Sequence, residues 1–289
     1  MRRGGAWAWG FTAPALLLIG FYLAYPTLAT IYLSLLDRQS QRFVGLRNYV
    51  DLFSSNAMLT ALRNNVLWLV LFTTLTVGLG LALAVLTDRV RYEAAAKALI
   101  FLPMAISFVG AGVIWKFVYA YRPAGAPQIG LANQIMVMLG REPVGWLITQ
   151  PWVNNLALIV VGVWIWTGFA MVVLSAAYKG IPKELLEAAR VDGANEWQVF
   201  WRISLPVMQS TVAVVATTMV INVLKVFDIV YVMTNGNFGT EVMANRMYKE
   251  MFQFRHFGRA SAIAVILFMA IVPVMLANIR RFRQQEATR

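Results

Sequence analysis

There is no cysteine among the 289 residues, one histidine, and only 13 acidic side chains against 25 basic ones. The missing thiols exclude structural disulfides and thiolate chemistry. His256 stands alone beside Arg255 and cannot build a metal site or a nucleophilic triad by itself, so it is read as structural. No G-x-x-x-x-G-K-S/T phosphate loop occurs, which leaves the chain without machinery for hydrolysing ATP. No catalytic set, no metal site and no cofactor bound by this chain are expected. Linkers rich in Pro, Gly or Ser and repeats of fixed period are also lacking, so residues 1–289 read as a single domain.

Charge is scarce overall. Only 13% of residues are charged and 60% are hydrophobic, where a soluble domain carries roughly 25% charged residues. The chain is read as an all-α integral membrane protein. A crossing helix needs about 20 apolar residues, and six runs approach or exceed that length, at about 7–36, 66–86, 98–118, 153–178, 207–233 and 260–279. Barrel-like alternation does not appear, and a span must satisfy its own backbone hydrogen bonds, so all six are predicted helices. Met1-Arg2-Arg3 before the first run imitates a secretory signal, but the run is about twice a signal's core length and is read as a retained span. The net charge of +12 would suggest nucleic acid in a soluble protein; here loop cations serve topology and anionic headgroups, and a nucleic-acid role is discounted. An even number of spans puts both ends on one side. The slight excess of basic residues there assigns them to the cytoplasm. Trp7, Trp9, Tyr119 and Trp152 are read as interface anchors, and Lys116 as snorkelling outward.

Between spans four and five the stretch "KELLEAARVDGANEWQVFWRISLP" interrupts the hydrocarbon. Pro182 suits a helix entry, Glu184 and Glu187 lie near a helix start where the dipole favours carboxylates, and Gly193 is a stop. Asn195 with Gln198 forms a capping-box pair for a second helix, whose Trp197, Phe200 and Trp201 share one face. Pro206 marks the start of span five. The result is a helix-turn-helix elbow with exposed apolar surface, which fits either a partner's groove or the bilayer surface.

The spacing Glu187-Ala188-Ala189, Asp192-Gly193-Ala194, Phe200, Ile203, Leu205 and Pro206 resembles the EAA signature of ATP-binding-cassette importer permeases. The outside loop "GLRNY", the segment "GREPVGWL" and "KVFDIVYVMTNGNFGT" are similar to the family's carbohydrate branch, and "EVMANRMYKEMF" is similar to permeases for α-glucosides and glucosylglycerol. The resemblance implies the type I importer fold with six spans and a cytoplasmic coupling loop at 180–206. It also implies a second permease subunit, an ATPase dimer that uses ATP and Mg, an extracytoplasmic solute-binding protein, and a carbohydrate cargo moved by alternating access across the inner membrane. In such a coupling helix small Ala188 and Ala189 allow close approach, Gly193 permits the turn, and Glu187 and Asp192 offer charge to the partner.

Charges inside spans are expensive and are read as functional candidates. Asn222, Lys225 and Asp228 are spaced along one face of span five, with Lys225 roughly 27 Å from Val207 at 1.5 Å per residue. Lys225 and Asp228 either neutralise each other or serve the cargo. Span four offers Trp166 and Phe169 as stacking platforms. In the similar larger permease of the maltose importer the sugar contacts fall at or near Trp166, Phe169, Asn222, Val223 and Val226. Trp166 and Phe169 are therefore the stacking candidates, and Asn222 and Lys225 the hydroxyl partners. "TNGNFGTE" between spans five and six is either a contact for the binding protein or an ordinary turn. Other readings are a permease of the same architecture for a glycerol-phosphate or compatible solute, and an ion-coupled carrier acting alone. The elbow and an expected absence of broken helices count against the carrier.

Overall fold

The computed structural model describes residues 4–88, 90–149 and 152–287, and among them it is helical with a single antiparallel bridge, Leu36 to Phe43. The helices are α1 (Gly4–Ile19), α2 (Tyr25–Leu33), α3 (Arg47–Phe53), α4 (Asn56–Thr87), α5 (Glu93–Phe101), α6 (Phe108–Val118), α7 (Leu131–Met138), α8 (Val153–Lys179), α9 (Lys183–Val191), α10 (Glu196–Val199), α11 (Leu205–Leu224), α12 (Asp228–Met233), α13 (Met243–Tyr248) and α14 (Phe257–Ala287). Among the described residues, five helical stretches are long and apolar enough to cross a membrane, and α5 with α6 makes a sixth if that bent pair counts as one span.

Four expectations are corrected. The third span is no straight rod: α5 and α6 meet at a 100° bend. Pro103 sits in a 3₁₀ turn, Ile106 is extended, and Ser107 caps the new helix by accepting a hydrogen bond from Gly110 N. The helix is interrupted here, as a broken span or a re-entrant loop, and the expected absence of broken helices no longer discriminates against a carrier. The fifth span ends at Leu224, and 225–227 separate it from α12. The second elbow helix does not stop before Pro206 but runs on through a π-helical turn, Phe200–Ser204, so that one stretch extends from Glu196 to Leu224. Finally, α4 begins ten residues before the predicted start and α14 runs past its predicted end, because apolar periodicity cannot locate polar extensions of a helix.

Two of the π-helical turns share a cause. Gly20–Ala24 precedes Pro26, and Phe200–Ser204 precedes Pro206. Proline cannot donate to the carbonyl four residues back, and its ring would strike that carbonyl. Widening the preceding turn by one residue, with Tyr25 N bonding Gly20 O and Leu205 N bonding Phe200 O, lets the helix continue.

The chain divides into two compact units. One takes the stretch up to Leu59 with Arg246–Met269, and the other Thr60–Asn245 with the stretch from Ala270 on. In the first, α3 is anchored through Asn48 and Leu52. Asn48 donates to Ser34 O and Leu36 O at 2.8 and 2.7 Å, and Leu52 is buried, while Phe43, Leu46 and Val50 stay exposed. Arg259 pairs with Asp51 at 2.8 Å, and buried Glu250 pairs with Arg246. His256 accepts from Arg259 N through Nδ1, a cap on α14, which agrees with its structural reading.

In the second unit, α8 is the central post. Its Leu158, Ile159, Val161 and Ile165 are buried against Trp68 and Phe72 of α4 and Val230 of α12. Close approach here depends on glycine. A Cβ on Gly168 would stand 2.5 Å from Ile100 O and 2.6 Å from Phe101 Cα, so the backbone at the end of α5 rests directly on α8. Tyr119 is not an interface anchor: it is buried and donates to Ala157 O at 3.2 Å. Trp9 and Trp152 are exposed, the latter under Arg63, and the side chain of Trp7 lies outside the described residues. Lys116 reaches Val232 O at 3.5 Å.

Gly168→Ala must displace backbone, so it is expected to lower stability by about 1–3 kcal/mol. Gly78→Ala, where a Cβ meets nothing within 4 Å, should be neutral or slightly stabilising. Thermal midpoints of the detergent-purified chain decide; equal midpoints for the two variants would contradict the close packing of α5 on α8.

Candidate functional site

The elbow follows from local chemistry. Pro182 stands at the N-cap of α9, one place before the predicted first helical position, with Glu184 in the first turn and Arg190 in the last. The helix closes in a Schellman arrangement: Ala194 N bonds Ala189 O at 3.0 Å and Gly193 N bonds Arg190 O at 3.1 Å. Gly193 has φ +81°, a conformation that L side chains rarely adopt. Asn195 and Gln198 form the predicted capping box, each side chain accepting from the other's backbone N at 2.9 Å. Arg190 and Glu196 add an ion pair at 2.8 Å across the turn.

Predicted elbow residues fall on two sides. Glu187, Ala188, Asp192, Gly193 and Pro206 are exposed; Ala194, Phe200 and Leu205 are half-buried. Ala189 is buried, so its small side chain serves packing within this chain. Val191, at 86% exposure, and Trp197, at 71%, extend the outward apolar face, and Trp201 lies against Trp197 with ring centroids 5.5 Å apart. Val191 escaped the sequence reading because it falls outside the motif. Behind the elbow, Ile181 and Leu186 pack with Ala84, Met171, Leu174 and Met208, anchoring it to α4, α8 and α11.

An open cavity of about 810 Å³ beneath the elbow is lined by Glu93, Lys179, Lys183, Glu187, Arg190 and Glu196, among others. Glu93 pairs with Lys97 and, at 2.6 Å, with Lys179, while Lys97 also bonds Ser175 Oγ. Lys179, then Lys97, hold the Glu93 carboxyl below its ordinary range.

The second site lies at the end of α11. Trp166, Asn222 and Lys225 come together as predicted in a cavity of about 90 Å³, joined by Trp68, Phe108 and Asp228. Val223 and Val226 also line it. Trp166 stacks on Phe108 with centroids 6.2 Å apart. Phe169 meets Trp166 edge-on at 5.8 Å and does not line the cavity. Asn222 Nδ2 bonds Thr218 O at 2.9 Å. The expected single face for Asn222, Lys225 and Asp228 is corrected, because the break places Asp228 on α12. Among the described residues, Lys225 and Asp228 form no ion pair with each other. The volume is below the roughly 300–1,000 Å³ of sites that enclose small ligands. These residues by themselves do not enclose a small ligand.

The loop after α12 is no ordinary turn. Asn235, Gly236, Phe238 and Gly239 all have positive φ. Asn64 donates to Gly239 O and Glu241 O at 2.7 and 2.8 Å, Asn154 to Phe238 O, Asn155 to Gly239 O at 3.3 Å, and Asn65 Oδ1 accepts from Met243 N at 2.9 Å. Buried Asn64, Asn65, Asn154 and Asn155 thus hold the loop while Phe238 stays exposed.

A family described as binding-protein-dependent transport system inner membrane components matches residues 75–284. The osmoprotective compounds uptake permease protein GgtC of Synechocystis is 64% identical over 279 residues, covering 96% of this chain and 100% of that protein. The alpha-glucoside transport system permease protein AglF of Rhizobium meliloti is 53% identical, covering 94% of this chain and 81% of that one. A crystal structure of a bacterial ABC transporter involved in import of the acidic polysaccharide alginate superposes with a TM-score of 0.81 at 25% identity, over 96% of this chain and 95% of that one.

Two outcomes follow. Asn195→Ala should loosen the elbow by about 1 kcal/mol, the usual worth of an N-cap, seen as faster amide exchange over 183–199; unchanged exchange would contradict the capping role. Because the folded Glu93 pKa is depressed, its contribution is fully present above the ordinary value of 4.5 and is lost as pH falls through the depressed one. The thermal midpoint of the wild type should therefore exceed that of Glu93→Gln at neutral pH and converge with it in acid; a gap that persists in acid would contradict the assignment.

Proposed function

We propose, from the fact that this chain belongs to the family of binding-protein-dependent transport system inner membrane components, that it carries an α-glucoside or related oligosaccharide through an ATP-driven importer. It is a membrane-spanning transport subunit of an ATP-binding-cassette importer, not an enzyme. The observation that carries the carbohydrate reading is the aromatic and polar wall formed by Trp166, Phe108, Asn222 and Lys225. Flat rings suit the C–H faces of a sugar, and the amide and ammonium suit its hydroxyls. The name of the 53% relative supports an α-glucoside. The name of the 64% relative favours a second reading, a compatible solute taken up as an osmoprotectant.

In this proposal the chain pairs with a second permease subunit that completes the wall. It is driven by an ATPase dimer that binds ATP and Mg, and receives cargo from an extracytoplasmic solute-binding protein. Both ends lie in the cytoplasm, and 180–206 is the coupling loop of one transmembrane domain. Glu187, Ala188, Asp192 and Gly193, with exposed Val191 and Trp197, face the ATPase. Ala189, Ala194, Phe200, Leu205 and Pro206 join that face to α11. The ordered loop carrying Phe238 meets the binding protein.

Reconstituted with these partners in proteoliposomes, the chain should support ATP-dependent saccharide uptake, and Trp166→Ala or Asn222→Ala should reduce it about tenfold or more. Uptake that proceeds without ATPase subunits would overturn the reading. Glu187→Ala and Gly193→Val should uncouple ATP hydrolysis from uptake while leaving assembly intact; preserved coupling in both would remove the elbow from the transmission path.

A further inference from the structure

We infer that Asp228 and Trp68 are specificity-determining residues of the saccharide wall, with Asp228 accepting from one ligand hydroxyl and the Trp68 indole N–H donating to another. The inference rests on the carbohydrate reading above and deepens it. Asp228 opens α12, Trp68 lies on α4, and both line the cavity that holds Trp166, Asn222 and Lys225.

Three observations converge. First, Lys225 and Asp228 are three residues apart and of opposite charge, the spacing at which a continuous helix would pair them. The helix stops between them, and among the described residues neither side chain has a hydrogen-bond or ion-pair partner. Two oppositely charged side chains at the edge of an aromatic-lined cavity, unpaired with each other, are available to water or a ligand. Second, Trp68 is 1% exposed, yet its Nε1 is buried without a hydrogen-bond partner. A buried indole N–H normally finds an acceptor. Third, Asn222 Nδ2 is turned back to Thr218 O, which leaves its Oδ1 as an acceptor for the ligand.

The wall therefore offers Lys225 as a donor and Asp228 and Asn222 as acceptors around stacked rings, and the Trp68 N–H, buried at the same wall without an acceptor, is a second donor that a ligand reaches when the wall opens. A neutral polyhydroxylated ligand satisfies all four, because each hydroxyl both donates and accepts. Apolar solutes would leave each of them unpaired.

The test uses the complete importer in proteoliposomes, with the best-transported of sucrose, trehalose, maltose and glucosylglycerol and its monodeoxy analogues. Wild type should discriminate against at least one analogue by about tenfold or more, as sites built to hydrogen-bond a hydroxyl do. Asp228→Asn and Trp68→Phe should each lower uptake of the parent and shrink that discrimination below about threefold, for a different hydroxyl in each case. Asp228→Glu, which keeps the carboxylate, should recover part of the preference. Discrimination unchanged in both variants overturns the inference, as does equal loss of parent and analogues in both, which would mean that the residues hold the fold and not the ligand. Failure of wild type to take up any saccharide overturns the carbohydrate reading instead.

Discussion

Inside hydrocarbon no water is available to a backbone N–H or C=O, and every departure from helix must be sheltered by protein. Two breaks in this chain adjoin close backbone packing between helices. The turn at 102–105 between α5 and α6 follows the point where Gly168 admits the backbone of Ile100 and Phe101 against α8. The interruption at 225–227 is followed by α12, whose Val232 lies 3.1 Å from where a Cβ of Gly112 on α6 would be. Both prolines at the starts of α2 and α11 are reached through widened turns that keep the helix unbroken.

Those breaks expose polar chemistry where an uninterrupted helix would hide it. Stopping α11 at Leu224 frees Lys225 and Asp228 from each other and leaves them at a cavity edged by Trp68, Phe108 and Trp166. The same region is buttressed by amide side chains. Asparagines of α4 and α8 satisfy the carbonyls of a loop with four left-handed residues, offsetting a conformation that costs of order 1–3 kcal/mol at each non-glycine position. Phe238 is thereby presented on an ordered support.

Elbow and cavity belong to one lever in the proposed cycle. From α10 the helix continues through Phe200–Ser204 into α11, with no flexible joint before Leu224. Twenty residues of α11 span roughly 30 Å at 1.5 Å per residue, so Asn222 and Lys225 stand at the far end of a rod whose near end bears Trp197 and Trp201. A stiff helix with two discrete seatings is the kind of element that can carry motion between such distant points. Ile181 and Leu186, packed on α4, α8 and α11, keep the elbow from moving independently of that rod.

The amino-acid sequence by itself determined the membrane class, the helical fold and the elbow. Apolar run length, the Asp192-Gly193 stop and the Asn195/Gln198 box are local signals whose physics needs no distant partner. The convergence of Trp166, Asn222 and Lys225 was also legible, through spacing and resemblance. The bend in the third span had a visible cause in Pro103, but run length alone passed over it. Only the tertiary structure decided the rest. The stop at Leu224 carries no proline or glycine, Trp68 lies nearly a hundred residues from Trp166, and of the neighbours Ala188 and Ala189 one is exposed and the other buried. Which side of a helix is buried, and which charge loses its partner, depends on what packs against it, and that is set by the folded chain as a whole.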